Sequence, residues 1–309
     1  SASDIRVPSL SHLMKPVALE VFMVTDSGVS QSRRKRIVDG LKQNDGFPHI
    51  MGIINVTSDS FYEGSRSLSS EDAIERALAM WASGATWVDI GGESTRPGAA
   101  PVDEESEIQR VVPVIKALRK ANPDGLISID TRHASVAHEG LKAGADMVND
   151  VSGLRDKAMI ETVLEWEAAI CIMHMQGEPG TMQTKPQYVN CVEEVSTYLA
   201  NQRSQLIKQG HPKELICIDP GIGFGKEHVH NLSLLQAGKS IGEDASVSIL
   251  WGVSRKRIVG HLTGHEHADD RLAGTLGLAA VAVARGINLL RVHDVQEHVD
   301  LFLSMKPFN

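Results

Sequence analysis

L-I-S-I-D-T-R-H-A-S-V-A-H-E-G-L-K-A-G-A-D-M-V-N-D, residues 126–150, decides the architecture. The stretch opens on an apolar run ending in Asp130, starts a helix near His133, and returns to a second apolar run ending in Asn149 and Asp150. Strand, helix and strand in this order make a βαβ unit, in which the helix carries the chain back so that the two strands lie parallel. Nearly continuous apolar runs, rather than strict alternation, suit strands buried on both faces.

The same unit repeats on either side. Strands are predicted over 50–56, 86–91, 126–130, 146–150, 169–174, 215–219, 248–253 and 288–293, eight in all. Helical spacing fills the gaps. Ile74, Leu78 and Trp81 recur at i, i+4, i+7 behind a Ser69–Asp72 capping pair. Ile108, Val111, Val112, Ile115 and Leu118 form one stripe after a start near Asp103. Eight such units close most economically into a (β/α)8 barrel, the TIM-barrel class of α/β fold. An open doubly wound sheet competes, but no Gly-x-Gly-x-x-Gly follows the first strand.

Residues 1–48 stand outside the repeat. Apolar pieces at 17–25 and 37–41 flank Ser27-Gly28 and the basic run Arg33-Arg34-Lys35-Arg36. Together they read as an N-terminal β-hairpin under the barrel, with the basic run in a solvated turn. The expected organisation is an extension over 1–48 and a catalytic barrel over 49–309.

A chain of 309 residues with 42% hydrophobic content can bury a full barrel core without metal or disulfides. Its net charge of -8 argues against non-specific nucleic-acid binding, though not against a local cationic site for a small anion. No stretch approaches a membrane span, and the opening residues lack the order of a secretion signal. Cys171 and Cys217 fall inside apolar strand runs and read, with Cys191, as free thiols. A cytoplasmic protein is expected.

Polar residues cluster at strand ends. Asn55 ends the first strand, and Asp89 lies in the second just before Gly91–Gly98. Asp130, Asn149 with Asp150, His174 and Asp219 end the next four, Ser254-Arg255-Lys256 follows the seventh, and Arg291 and His293 finish the eighth. One such residue alone can be ordinary architecture, as Asp130 would be if it capped the following helix. Eight apolar strands that all end this way converge on the catalytic face of a barrel. Asp130, Asn149 and Asp219 suit a flat heterocycle rich in N–H groups, while Arg96, Arg255, Lys256, Arg291 and His293 suit anions. An Asn beside a phosphate site suggests a hydrated Mg2+. His138, His261, His265 and His267 fall in helix or loop and read as surface residues. No zinc-type spacing and no Gly-x-Ser-x-Gly elbow occurs.

These strand ends resemble the dihydropteroate synthase family from about residue 50 to 295. The motifs that carry the resemblance are M-G-I-I-N-V-T-S-D-S-F (51–61), G-G-E-S-T-R-P-G-A (91–99), S-I-D-T (128–131) and N-D-V-S-G (149–153). C-I-M-H-M-Q-G-E-P-G-T-M-Q (171–183), D-P-G-I-G-F-G-K (219–226), S-R-K (254–256) and R-V-H-D-V (291–295) follow in barrel order. The resemblance implies that a pterin methyl pyrophosphate is joined to p-aminobenzoate with loss of pyrophosphate. It implies pterin contacts at Asp130, Asn149, Asp219 and Lys256, with Asn55, Arg291 and His293 on the pyrophosphate. Asn55 would also hold Mg2+, the implied cofactor. Phe61, Thr95, Arg96, Pro97 and Ser254 would surround p-aminobenzoate. Lys256, Asp130 and Arg291 are the implied catalytic residues.

The chain departs from the family pattern at Ser58, in the Tyr62–Arg66 stretch, at Arg132-His133 and at Arg257. The first two alter the loop beside p-aminobenzoate, so affinity there is not implied by the resemblance. A pterin or folate methyltransferase, and a non-catalytic pterin-binding paralogue, are the alternative readings. Ser-Thr-Arg-Pro at 94–97 and Ser254-Arg255-Lys256 favour the synthase. A helix expected near 270–285 carries apolar residues on more than one face, including Leu276, Leu278 and Val281. With the resemblance, that surplus implies a homodimer.

Overall fold

Eight strands follow in chain order, each parallel to the next: β1 (His49–Asn55), β2 (Trp87–Gly91), β3 (Leu126–Asp130), β4 (Met147–Asp150), β5 (Ala169–Met173), β6 (Ile216–Asp219), β7 (Ser248–Trp251) and β8 (Leu289–Val292). β1 also pairs with β8, which closes the barrel. This is a computed structural model, and it describes residues 30–43, 45–56, 69–93, 102–177, 182 and 185–308. Each strand predicted from the sequence is present, with ends no more than two residues from those expected.

Ten α-helices occur among the described residues: α1 (Gln31–Asp39), α2 (Ser70–Ala82), α3 (Glu104–Ala121), α4 (Ala134–Ala143), α5 (Lys157–Trp166), α6 (Cys191–Lys208), α7 (His228–Ala237), α8 (Arg257–Thr263), α9 (Leu272–Ala284) and α10 (Val295–Met305). Local chemistry fixes several starts. The Ser69 hydroxyl accepts from the Asp72 N–H at 3.2 Å, and the Asp103 carboxylate accepts from the Ser106 N–H at 2.9 Å. Both satisfy donors that a helix leaves orphaned in its first turn.

Two apolar layers hold the barrel. Alternate strand residues such as Ile54, Ile90, Ile127, Ile129, Val148 and Ile170 pack outward on the helices. Their neighbours, including Met51, Trp87, Leu126, Met147, Leu250 and Leu289, fill the inner foot of the barrel. Since strand side chains alternate, Ser128 and Asp130 share the inward face of Leu126, and Asp89 shares that of Trp87. The inward face is therefore apolar at the foot and polar at the mouth.

The foot is closed by α1, where a second hairpin arm was expected. Ile37 and Leu41 are buried in the inner layer, Trp87 Nε1 donates to the Gly40 carbonyl at 2.8 Å, and Ser248 Oγ donates to the Leu41 carbonyl at 2.6 Å. The basic run is not a solvated turn. Arg33 pairs with Asp146 at 2.6 Å, Arg34 with Glu214 at 3.0 Å, Lys35 with Asp39 at 2.7 Å and Arg36 with Asp124 at 2.9 Å. The three tertiary partners, Asp146, Glu214 and Asp124, with the i,i+4 pair Lys35–Asp39, favour a helix where propensity alone did not announce one. The apolar piece at 17–25, assigned to the other arm, lies outside the described residues.

Candidate active site

At the mouth, four strands bring one side chain each to a single point. Arg291 Nε donates to Asp89 Oδ2 at 2.6 Å and its Nη2 donates to Asp130 Oδ2 at 2.6 Å. Asn149 Nδ2 donates to the same Asp89 oxygen at 3.0 Å. Asp89 is wholly buried, and its Oδ1 has no hydrogen-bond partner among the described residues. Burial pushes Asp130 up to about 7, against the pull of Arg291 and with the help of the Asp89 charge. Burial alone would lower the Arg291 pKa, but Asp89 and Asp130 more than offset it and keep the guanidinium charged. Asp130 therefore does not cap the next helix. His133 precedes α4 without a side-chain cap, and its N–H donates to Thr131 Oγ1 at 3.2 Å.

A second polar group faces this cluster across the mouth. Lys256 Nζ donates to the Ile222 carbonyl at 2.7 Å and lies 4.5 Å from the centre of the Phe224 ring, within cation–π range. Burial lowers Lys256 to about 8, opposed by Asp219. Asp219 Oδ1 accepts from the Gly221 N–H at 2.7 Å, while burial raises its pKa against the charge of Lys256. Ser254 and His293 form a pair, with Oγ and Nδ1 2.9 Å apart. Asn55 ends β1 on the same mouth, and its side-chain amide makes no hydrogen bond among the described residues. A cavity of about 780 Å³ joins Asn55, Asp130, Arg291, His293, Ser254 and Lys256.

Preorganised acceptors, a buried lysine and a multiply held arginine describe a pocket for a flat polar ring with an anion beside it. The family model described as pterin binding enzyme matches residues 51–293. The chain belongs to the pterin-binding enzyme family. Within it the chain falls among the dihydropteroate synthases. That of Escherichia coli K12 is 41% identical over 266 residues, 86% of this chain and 93% of its own length. The Xanthomonas albilineans dihydropteroate synthase with 4-aminobenzoic acid superposes with a TM-score of 0.77 at 39% identity, covering 85% of this chain and 93% of that one. The same enzyme in complex with 7,8-dihydropteroate gives a TM-score of 0.75 at 35% identity, over 86% and 95%.

For a pterin-binding enzyme, the grouping follows the sequence closely, with three differences. Arg255 is not free for an anion: its guanidinium grips Asp294 at 2.7 and 2.6 Å and donates to the Asp269 carbonyl at 2.9 Å. Asp150 turns away from the cavity, accepting from the N–H groups of Ser152 and Leu154 at 2.8 Å each. His174 faces Lys226 rather than the cavity centre, with Nδ1 and Nζ 3.0 Å apart. Phe61, Thr95, Arg96 and Pro97 lie outside the described residues. Asp89 and Lys226 were given no role from the sequence. For Asp89 a signal existed, since Trp87–Asp89 repeats the spacing of Ser128–Asp130 on the inward face.

Proposed function

We propose that the chain catalyses the dihydropteroate synthase reaction, joining 6-hydroxymethyl-7,8-dihydropterin pyrophosphate to p-aminobenzoate and releasing pyrophosphate. The observation that carries this is the Asp89–Arg291–Asp130–Asn149 cluster facing Asp219 and Lys256. Asp130, Asn149 and Asp219 take the ring N–H and amino groups of the pterin, and Lys256 donates to a ring acceptor. Arg291, whose Nη1 makes no hydrogen bond among the described residues, and His293 would bind the pyrophosphate. Asn55 offers a single neutral oxygen. That suits a hydrated Mg2+ arriving with the pyrophosphate, since this ion keeps most of its waters and uses few protein ligands. When bound, the ion neutralises charge on the leaving group.

The carbon–oxygen bond at the pterin CH2 breaks as pyrophosphate departs toward Arg291 and His293. The carboxylates of Asp89, Asp130 and Asp219 stabilise the pterin cation so formed, because they lie close by in a site of low dielectric. The arylamine nitrogen then attacks the CH2 and loses a proton. No protein nucleophile takes part. Ser254 lines the cavity and is read as facing p-aminobenzoate; Thr95, Arg96, Phe61 and Pro97, outside the described residues, are given the same role by the family resemblance alone.

We further propose that α9 pairs with a second copy in a homodimer, as Val281 is 41% exposed and Leu278 only half-buried on that helix. A monomeric mass by light scattering at micromolar concentration would overturn it. The three cysteines are buried and free, and a cytoplasmic location is the reading that three cysteines in apolar surroundings favour. No helix among the described residues is long and apolar enough to cross a membrane. Incubation with the pterin pyrophosphate, Mg2+ and p-aminobenzoate tests the reaction. Release of pyrophosphate with formation of the arylamine adduct, sustained by the arylamine and stopped by chelator, is expected. No release, with the pterin still bound, would favour a non-catalytic pterin-binding protein.

A further inference from the structure

Lys226 is 3% exposed, and burial lowers it to about 7. A buried ammonium is costly, and an apolar side chain of similar size often serves stability as well or better. Its contacts are unusually concentrated. Nζ donates to the carbonyls of His174 at 3.1 Å, Gly221 at 3.0 Å and Phe224 at 2.9 Å, and lies 3.0 Å from His174 Nδ1. Burial lowers His174 to about 3, with the Lys226 charge adding to the effect, so its imidazole is neutral and the three Nζ protons are shared among four acceptors.

These contacts tie the end of β5 to the loop between β6 and α7. That loop cannot hold its shape cheaply. Gly221 and Gly225 take φ of 69° and 58°, and a Cβ on them would collide with the carbonyls of His174 and Gln176 respectively. Glycine permits the close approach but leaves the loop many alternatives to lose. The loop in turn builds the site. Its Ile222 carbonyl and Phe224 ring hold the Lys256 ammonium, and its Gly221 N–H holds Asp219.

We propose that Lys226 is a positioning residue for the reaction, fixing the 221–225 loop so that Lys256 and Asp219 present their charges to the pterin. It touches no reacting atom. This rests on the function proposed above and adds to it the residue that sets the geometry of Lys256.

A double-mutant cycle between Lys226→Met and Lys256→Ala separates positioning from a general role in folding. The reading is kcat/KM for the pterin pyrophosphate, with melting temperature followed in parallel. Lys226→Met is expected to lower kcat/KM at least tenfold in the parent enzyme and by a factor several times smaller, the share carried through Asp219, once Lys256 is alanine. Its effect on melting should be the same in both backgrounds. Lys226→Arg, which keeps charge and donors, should recover part of the lost activity, and it carries the same cycle if Lys226→Met does not fold. Equal losses of kcat/KM in both backgrounds would overturn the proposal and leave Lys226 a staple of the fold. A parent enzyme with no turnover would instead overturn the proposed reaction.

Discussion

Buried carboxylates meet arginine at both ends of this barrel, and Asp146 at the foot and Asp130 at the mouth differ in one respect. Asp146 is saturated. Its Oδ1 accepts from Arg33 Nε at 2.6 Å, and its Oδ2 accepts from Arg119 Nη2 at 2.6 Å and from the Ile127 N–H at 2.8 Å. Asp130 takes one hydrogen bond among the described residues, from Arg291, and shares that arginine with Asp89. The foot is complete without a ligand. At the mouth, charge is held in place with acceptors left over, which costs stability in the free protein and gains it back when a partner binds.

The largest expected effect lies at the foot. Asp146→Asn leaves Arg33 and Arg119 facing a neutral group and should destabilise the fold by about 3–5 kcal/mol, as breaking a buried pair does. The kcat of molecules that remain folded should be unchanged. Denaturant unfolding beside steady-state rates checks this, and a large loss of kcat at full folding would erase the distinction between the two ends.

Lys256→Ala at the mouth should do the reverse. Loss of a charge-assisted contact of about 1.5–3 kcal/mol lowers kcat/KM roughly ten- to hundredfold, with little change in melting temperature. Burial places Lys256 at about 8, so the parent should lose kcat/KM as pH rises through that value and the ammonium discharges. In the alanine variant this alkaline limb should disappear.

The smallest effect concerns Glu107, on α3 beneath the second strand-end loop. It is wholly buried, and neither carboxyl oxygen has a hydrogen-bond partner among the described residues. Burial raises it from 4.5 to about 8, with the Thr131 hydroxyl, near but not in bonding geometry, pulling the other way. A raised acid favours the folded state fully only below its unfolded pKa, and that advantage is lost as pH climbs from about 4.5 to about 8. Glu107→Gln should therefore be more stable than the parent by about 1–2 kcal/mol at pH 8 and show a flatter stability profile over this window. A parent whose stability does not fall across it would place water or a cation beside this carboxyl.

Much of this was legible in the sequence because barrels repeat. An apolar run such as Leu126–Asp130 fits little except a strand buried on both faces, and a polar residue at each strand end can only converge at one mouth. Asn55, Asp130, Asn149, Asp219, Lys256, Arg291 and His293 were found that way. What escaped depends on distant partners. Arg33–Arg36 gave no sign that they pair with Asp146, Glu214 and Asp124 to stabilise a helix under the barrel. Arg255 looked free until Asp294 was beside it. Lys226 follows glycines in a loop, and nothing local shows that its ammonium turns inward onto three carbonyls.

The claim that the mouth is charged for the pterin is tested most directly by calorimetric titration of Asp130→Asn with the pterin pyrophosphate, with melting curves recorded alongside. Asparagine can still accept from Arg291, and it removes a carboxyl that burial holds near 7, so the free variant should melt at or slightly above the parent temperature. Binding should weaken by about 2 kcal/mol, roughly thirtyfold, because an acceptor becomes in part a donor and a negative charge is lost. Parental affinity in a variant that melts well below the parent would show that Asp130 serves the fold, as Asp146 does, and not the substrate.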